Sequence, residues 1–244
     1  MIGLIGGSGL SHLEGLELEQ QMQRETPFGE PSAPLMIGKF AGKDVAFIPR
    51  HGEHHTIPPH LINYRANIWA MHQLGVEQIL AVASVGGITE LYKPGVIALP
   101  DQLIDYSWGR ESSFFSEDFS AARHIDFTYP FDETLRQQIQ LAANIVEMTV
   151  IDGGTYAVTQ GPRLETAAEI RRLKNDGADV VGMTAMPEAG LARELNIAYA
   201  SIAVVANHAA GISSHPLSME VIIETMDSSM HRVHRLLKSA IPLL

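Results

Sequence analysis

Short apolar runs rich in Val and Ile recur along the chain, each closed by a cluster of Gly, Pro, Ser, Thr or Asn, and stretches of helical periodicity lie between them. Runs at residues 1–5, 45–48, 78–84, 96–99, 156–158, 180–181 and 199–205 predict strands. They are continuously apolar instead of alternating, the signature of strands covered on both faces. Residues 61–74 carry Ile62, Ala66, Trp69 and Ala70 at helical spacing, and Asp132 is placed to cap a helix running to residue 146. Further helices are predicted over 166–174, stopping near Gly177, and over 187–195, with Pro187 in the first turn. The longest, 218–237, sets Met219, Ile222, Ile223, Met226, Met230, Val233, Leu236 and Leu237 on one face for burial. This alternation predicts an α/β fold with a central mixed, mostly parallel sheet flanked by helices. Without a repeat, a low-complexity stretch or a linker, residues 1–244 are expected to form a single domain.

Composition narrows the chemistry. Lys and Arg number 17 against 28 Asp and Glu, a net charge of −11 with no basic cluster, so nucleic acid and anionic membrane surfaces are excluded as partners by repulsion. No apolar run approaches the ~18 residues of a membrane span. The opening Met1-Ile2-Gly3-Leu4 does not read as a secretory signal, so an unexported, cytoplasmic protein is expected. The lack of Cys removes disulfides, thiolate metal sites and a cysteine nucleophile. An anionic substrate would need a local pocket of donors. That directs attention to the Gly-rich turns and the few arginines at strand ends, where ligands of such sheets gather.

Gly6-Gly7-Ser8-Gly9 follows the first strand and offers closely spaced backbone N–H groups and the Ser8 hydroxyl to an anion. It lacks the third glycine of a dinucleotide fingerprint and the Lys-Ser/Thr of a Walker loop, and a tight turn is the plainer reading. Arg50-His51-Gly52-Glu53-His54-His55 supports two chemistries. His51, His54 and His55 have the spacing of metal ligands in a hydrolase, whereas Arg50 beside His51 suits a forked grip on phosphate and sits poorly next to a metal. Ser84, before Val85-Gly86-Gly87, and Thr184, in Gly182-Met183-Thr184, add hydroxyls at two further strand ends. Several short donors arriving from different directions are what a phosphoryl group requires. Glu165, in Gly161-Pro162-Arg163-Leu164-Glu165-Thr166, stands where a loop becomes a helix and on local grounds is equally a partner for the helix dipole. Asn207, directly after an apolar run, is either a turn former or a ligand reader.

Taken in order, Gly6-Gly7-Ser8-Gly9-Leu10, Arg50-His51-Gly52, His55-Thr56-Ile57, Asn63-Tyr64 with Ala66-Asn67-Ile68-Trp69-Ala70, Gly161-Pro162-Arg163, Met183-Thr184 and Pro187-Glu188 resemble the purine nucleoside phosphorylase superfamily, in its trimeric methylthioadenosine phosphorylase branch. The likeness runs through essentially the whole chain. It implies phosphate contacts from Ser8, Arg50, His51, Ser84 and Thr184, a ribose contact from Met183, catalytic roles for His51 and Asn207, and a homotrimer acting on a small nucleoside with inorganic phosphate as co-substrate. It implies no cofactor and no metal. Ala83-Ser84 departs from the Thr-Ala or Asn-Ala pair of relatives, which preserves a backbone amide contact and shifts the hydroxyl. The implied reaction is phosphorolysis: phosphate attacks the anomeric carbon as the purine leaves, through a sugar cation like that of glycoside hydrolysis, so no carboxylate nucleophile is needed.

Within that resemblance, two positions discriminate the base. Relatives that take 6-aminopurines carry Asp at the positions of Asn207 and Ala209. A carboxamide at 207 accepts from N7–H while donating to a 6-oxo oxygen. Glu165 stands where 6-oxopurine enzymes carry Glu and methylthioadenosine enzymes carry Ser; a carboxylate accepts from the N1–H of a 6-oxopurine and repels the N1 lone pair of adenine. Met219 and Ile222 are expected to line the 5′ end with apolar surface suited to a methylthio group, and His124 to close it from its own or a neighbouring subunit. The expected reaction is phosphorolysis of 5′-methylthioinosine to hypoxanthine and 5-methylthioribose 1-phosphate. The alternatives are a methylthioadenosine phosphorylase releasing adenine, an inosine/guanosine phosphorylase, the metallohydrolase, and a non-catalytic binding protein on the same fold.

Overall fold

Strand β1 (Ile2–Gly6), buried at every position, pairs in parallel with β4 (Lys43–Pro49) on one side and β5 (Gln78–Gly87) on the other. In this computed structural model, which describes residues 1–116, 120–213 and 219–244, β5 is the axis of the sheet. Its first half lies against β1, its last residues pair antiparallel with β10 (Val180–Gly182), and its other edge runs parallel to β11 (Ala198–His208) over the full length. From β10 the sheet continues through β9 (Thr155–Val158) to β7 (Gln102–Asp105), and from β11 through β6 (Ile97–Leu99) to β8 (Ile151–Asp152). β2 (Glu17–Met22) and β3 (Leu35–Phe40) extend the β4 edge in antiparallel fashion. Among the described residues, eleven strands thus form one mixed, mostly parallel sheet, in agreement with the expected α/β class.

Alternate residues of each central strand feed two separate cores. Leu4, Val45, Phe47, Leu80 and Val82 pack under α2 (Glu133–Ile145) and α5 (Met219–Ala240), against Leu135, Ile139, Val233, Leu236 and Leu237. Ile5, Ala46, Ile48, Ile79 and Ala81 face the other way, under α1 (Tyr64–Gln73) and α4 (Ala185–Glu194), against Ile68, Met71, Leu191 and Ala192. Burial on both faces is why the strands read as unbroken apolar runs. Each such side chain contributes roughly 1.5–3 kcal/mol of transfer free energy.

The predicted cap is in place, the Asp132 carboxylate accepting from Leu135 N, and at the start of α3 (Ala167–Asn175) Thr166 with Glu169 forms a capping box. Four expectations need correction. Strands β2, β3, β7 and β8 are not in the sequence pattern, and β2 is exposed at five of its six positions, so it has no apolar stripe to announce it. Ile223 is 55% exposed, because the α5 face that meets the core runs through Met226, Val233, Leu236 and Leu237. Ser84 and Asn207 lie inside strands, since β5 and β11 keep pairing to Gly87 and His208. A β-bulge at Ala206 separates the pairs Val205–Val85 and Asn207–Gly86, and bulges of this kind re-aim side chains beside active sites. None of the described helices is long and apolar enough to cross a membrane.

Candidate active site

The polar ends of β1, β4 and β5 and the start of α4 meet around a cavity of about 320 Å³ lined by Ser8, Arg50, His51, Ser84, Met183 and Thr184, among others. Among the described residues, no Asp or Glu lines it. The Gly-rich loop reaches it because Gly7 has no side chain: a Cβ there would stand 2.5 Å from Val82 O and 2.9 Å from Arg50 Nη1. Arg50 is fully buried and held in a fork. Nε and Nη2 donate to the two Glu188 carboxylate oxygens at 2.7 and 2.8 Å, and Nη1 donates to Val82 O at 2.9 Å. Of the five guanidinium N–H groups, these bonds leave two beside this donor-lined cavity. Burial alone would lower the Arg50 pKa, but Glu188 beside it raises it above its ordinary value, so the guanidinium stays charged. Glu188 also accepts from Tyr199 Oη at 2.7 Å, and burial together with that carboxylate holds the Tyr199 phenol well above its usual range.

His51 is buried, and its Nδ1 lies 2.8 Å from Ile57 O. A carbonyl only accepts, so Nδ1 carries the proton and Nε2 is left with a lone pair. Burial first, and then the neighbouring Arg50 charge, push its pKa down to about 4, and the ring is neutral at physiological pH. The His55 ring lies 4.4 Å from that of His51, centroid to centroid, and its Nε2 is 3.5 Å from Ser8 Oγ. His54 is exposed. The three histidines therefore do not converge on one point. Among the described residues, no group of three or more His, Cys, Asp or Glu could hold a metal ion, and the metallohydrolase reading loses its ligand set.

A second cavity, of about 340 Å³, continues from the first and shares Ser8, Ser84, Pro162 and Met183 with it. Glu165, Asn207, Ala209 and Ile222 line it together with Val85, Val181 and Ala206. Its walls are mostly apolar, with the Glu165 carboxylate, the Asn207 carboxamide and the Ser8 and Ser84 hydroxyls set among them, which suits a flat heterocycle read at its edges. Glu165 is not a helix-dipole partner: Thr166 and Glu169 carry out the capping, and Glu165 Oε1 accepts from Thr159 Oγ1 at 2.5 Å. Asn207 Nδ2 donates to His208 O at 2.7 Å. The bulge that lets β11 pair onward also delivers Asn207 to the cavity wall.

The fold thus gathers Ser8, Arg50, His51, Ser84, Glu165, Met183, Thr184, Asn207, Ala209 and Ile222 from seven separated stretches into one two-chambered cleft. His124 is exposed, follows the short turn Ala121–Arg123, and lines neither chamber within its own chain. The side chain of Met219 lies outside the described residues. Sequence reasoning assigned no role to Glu188, although a lone carboxylate among the apolar residues of 185–192 was a legible signal. Thr159 and Arg110 offered none, since their significance is in the atoms they meet.

The comparisons agree with this geometry. The model of the phosphorylase superfamily matches residues 1–242. A protein of Pseudomonas syringae pv. tomato named "Probable S-methyl-5'-thioinosine phosphorylase" is 49% identical over 230 residues, 94% of either chain. The 6-oxopurine nucleoside phosphorylase of Pyrococcus furiosus is 42% identical across 100% of this chain and 92% of its own. The solved methylthioadenosine phosphorylase of Schistosoma mansoni in complex with adenine superposes with a TM-score of 0.94 at 33% identity, covering 99% of this chain and 90% of that one. A donor-lined cavity opening into a mostly apolar one at the strand ends of an α/β sheet agrees with the nucleoside phosphorylases among these relatives. The chain belongs to the phosphorylase superfamily.

Proposed function

We propose that the protein cleaves the N-glycosidic bond of 5′-methylthioinosine with inorganic phosphate, releasing hypoxanthine and 5-methylthioribose 1-phosphate. The observation that carries this reading is that Glu165 and Asn207 line a single chamber that opens, through Ser8, Ser84 and Met183, into one lined by donors and, among the described residues, by no carboxylate. Phosphate occupies the donor chamber, held by the two remaining Arg50 N–H groups, the Ser8, Ser84 and Thr184 hydroxyls and the exposed amides of the Gly loop. The Nε2 lone pair of His51 accepts from a phosphate or sugar hydroxyl and orients the nucleophile. A phosphate oxygen forms the bond to the anomeric carbon while the bond to purine N9 breaks, and its electron pair leaves with the base. Asn207 relieves the charge that gathers there through a hydrogen bond at N7. Holding the two reactants in line supplies a large share of the acceleration, on the order of 7–11 kcal/mol in the best intramolecular cases.

The 6-oxo preference follows from hydrogen-bond polarity. Glu165 accepts from N1–H of hypoxanthine but meets a lone pair in adenine, and each mismatch of a buried polar group costs about 1–3 kcal/mol. Met183 contacts the ribose, Ala209 leaves the base edge without a second carboxylate, and Ile222 gives the 5′ end apolar surface. The relatives at 47–51% identity that are named for methylthioinosine support the same substrate. No cofactor enters this reaction, because phosphate is the second substrate. A homotrimer in which the partner subunit's His124 closes the 5′ end fits the exposure of His124 in its own chain, and a cytoplasmic location goes with a reaction between intracellular metabolites. Sedimentation should give a mass three times 26.6 kDa.

Phosphorolysis rates on methylthioinosine, methylthioadenosine and inosine, with and without phosphate and a chelator, test the proposal. Phosphate-dependent, chelator-insensitive release of hypoxanthine from methylthioinosine above the other two is expected. Equal or faster turnover of methylthioadenosine refutes the base argument, and faster turnover of inosine refutes the 5′ argument.

A further inference from the structure

Arg110 lies on the segment after β7 and lines neither chamber of the cleft, yet its guanidinium is fully hydrogen-bonded, in part to Met183, which lines both chambers. Nη1 donates to Met183 O at 2.8 Å and to Met186 O at 2.5 Å; Nη2 donates to Thr159 O at 3.2 Å and Gln160 O at 2.9 Å; Nε donates to Gln160 Oε1 at 3.2 Å. The plane of the group stands over the Tyr64 ring, 5.5 Å from its centroid. Among the described residues, no carboxylate forms an ion pair with it. A half-buried cation that donates to four backbone carbonyls, two on the loop leaving β9 and two on the β10–α4 connection and the first turn of α4, is a clamp. One loop, leaving β9, carries Thr159, Gln160 and Glu165; the other, between β10 and α4, carries Met183 and Thr184.

The clamp leads to one atom of the base chamber. Thr159 N donates to Gly182 O at 2.8 Å and Arg110 donates to Thr159 O, so the Thr159 backbone is tied on both sides. Its hydroxyl then donates to Glu165 Oε1 at 2.5 Å. That bond turns the carboxylate and occupies one of its oxygens, leaving the other for a ligand. Lysine cannot replace this arrangement, because an ammonium is a point with three donors and lacks the planar fork that reaches carbonyls on two loops.

We propose that Arg110 is a positioning residue which, through Thr159, holds Glu165 at the angle that discriminates 6-oxo from 6-amino purines; this rests on the reading of Glu165 as the base-edge acceptor. The test compares the ratio of kcat/KM for methylthioinosine over methylthioadenosine in Arg110→Lys, Thr159→Val, Glu165→Gln and the double variant R110K/E165Q. The ratio is expected to fall roughly tenfold in Arg110→Lys and in Thr159→Val, and in Thr159→Val, which leaves the bonds to Met183 and Met186 in place, the KM for phosphate stays within about twofold of the parent. The double variant should fall no further than Glu165→Gln alone, because the two residues act through one contact. A ratio that collapses in Glu165→Gln but is unchanged in either Arg110→Lys or Thr159→Val overturns the inference, as does a double variant whose losses add. An unchanged ratio in Glu165→Gln overturns the underlying reading of the carboxylate. If circular dichroism shows Arg110→Lys unfolded at the assay temperature, Thr159→Val, which removes only the hydroxyl, decides the question.

Discussion

Replacing Glu188 by Gln removes the charge that holds Arg50 while keeping its volume and an amide oxygen. Both members of the pair are inaccessible, at 1% and 0% exposure, and the carboxylate accepts two bonds from Arg50 and one from Tyr199. Breaking a buried pair by neutralising one partner costs about 3–5 kcal/mol, because the remaining charge is left without solvent or counter-charge. For a chain of this size each kcal/mol moves Tm by about 2–4 °C, so a fall of roughly 6–20 °C is expected. The same change leaves Arg50 looking for an anion. Saturating phosphate should therefore raise Tm more in Glu188→Gln than in the parent, while kcat falls because the fork no longer sets the guanidinium plane. Differential scanning calorimetry with and without phosphate, paired with phosphate titrations of activity, reads both effects. A control pair, Arg50→Met with Glu188→Leu, should recover most of the stability and abolish phosphorolysis, as replacement of a whole buried pair by apolar residues often does. If Glu188→Gln melts within about 2 °C of the parent and keeps its phosphate KM, the buried pair does not hold the anion chamber in shape.

Other outcomes follow from the same geometry. Gly7→Ala would place a Cβ 2.5 Å from Val82 O and 2.9 Å from Arg50 Nη1, so phosphate-dependent activity should drop by at least ~100-fold with the fold retained; near-parental phosphate KM would contradict the close approach of the loop. Asn207→Asp combined with Glu165→Ser should move the kcat/KM preference toward methylthioadenosine, and no movement would count against the hydrogen-bond polarity argument. His51 has a folded pKa of about 4, below its unfolded value, so between pH 6.5 and 4 the unfolded chain binds a proton that the folded one refuses. Stability contributed by neutral His51 is present above pH 6.5 and is lost on acidification, by roughly 3 kcal/mol at pH 4, and His51→Asn should flatten that loss in urea titrations from pH 7 to 4.5. An identical pH slope in the two proteins would disprove it.

Much of the framework was legible along the chain because its causes are local. Asp132 caps its helix with a carboxylate oxygen a few bonds from the N–H group it satisfies, and the apolar runs of β1, β4, β5 and β11 announce strands that are covered on both sides. The polar residues closing those runs, Ser8, Arg50, His51, Thr184 and Asn207, could be suspected as a site on the same grounds. What adjacency could not supply is the pairing. Arg50 meets Glu188 across 138 positions of chain, Glu165 is turned by a threonine that is itself fixed by Arg110, and Asn207 reaches the cleft only because a bulge lets β11 keep pairing with β5. The strand β2, with no buried face, left no trace in the pattern for the same reason: it is stabilised by the hydrogen bonds of β3, a partner thirteen or more residues away, and not by its own side chains. Periodicity and caps record forces that act within a few residues, whereas the charge of the anion chamber and the polarity of the base chamber depend on groups that become neighbours only after the sheet has closed.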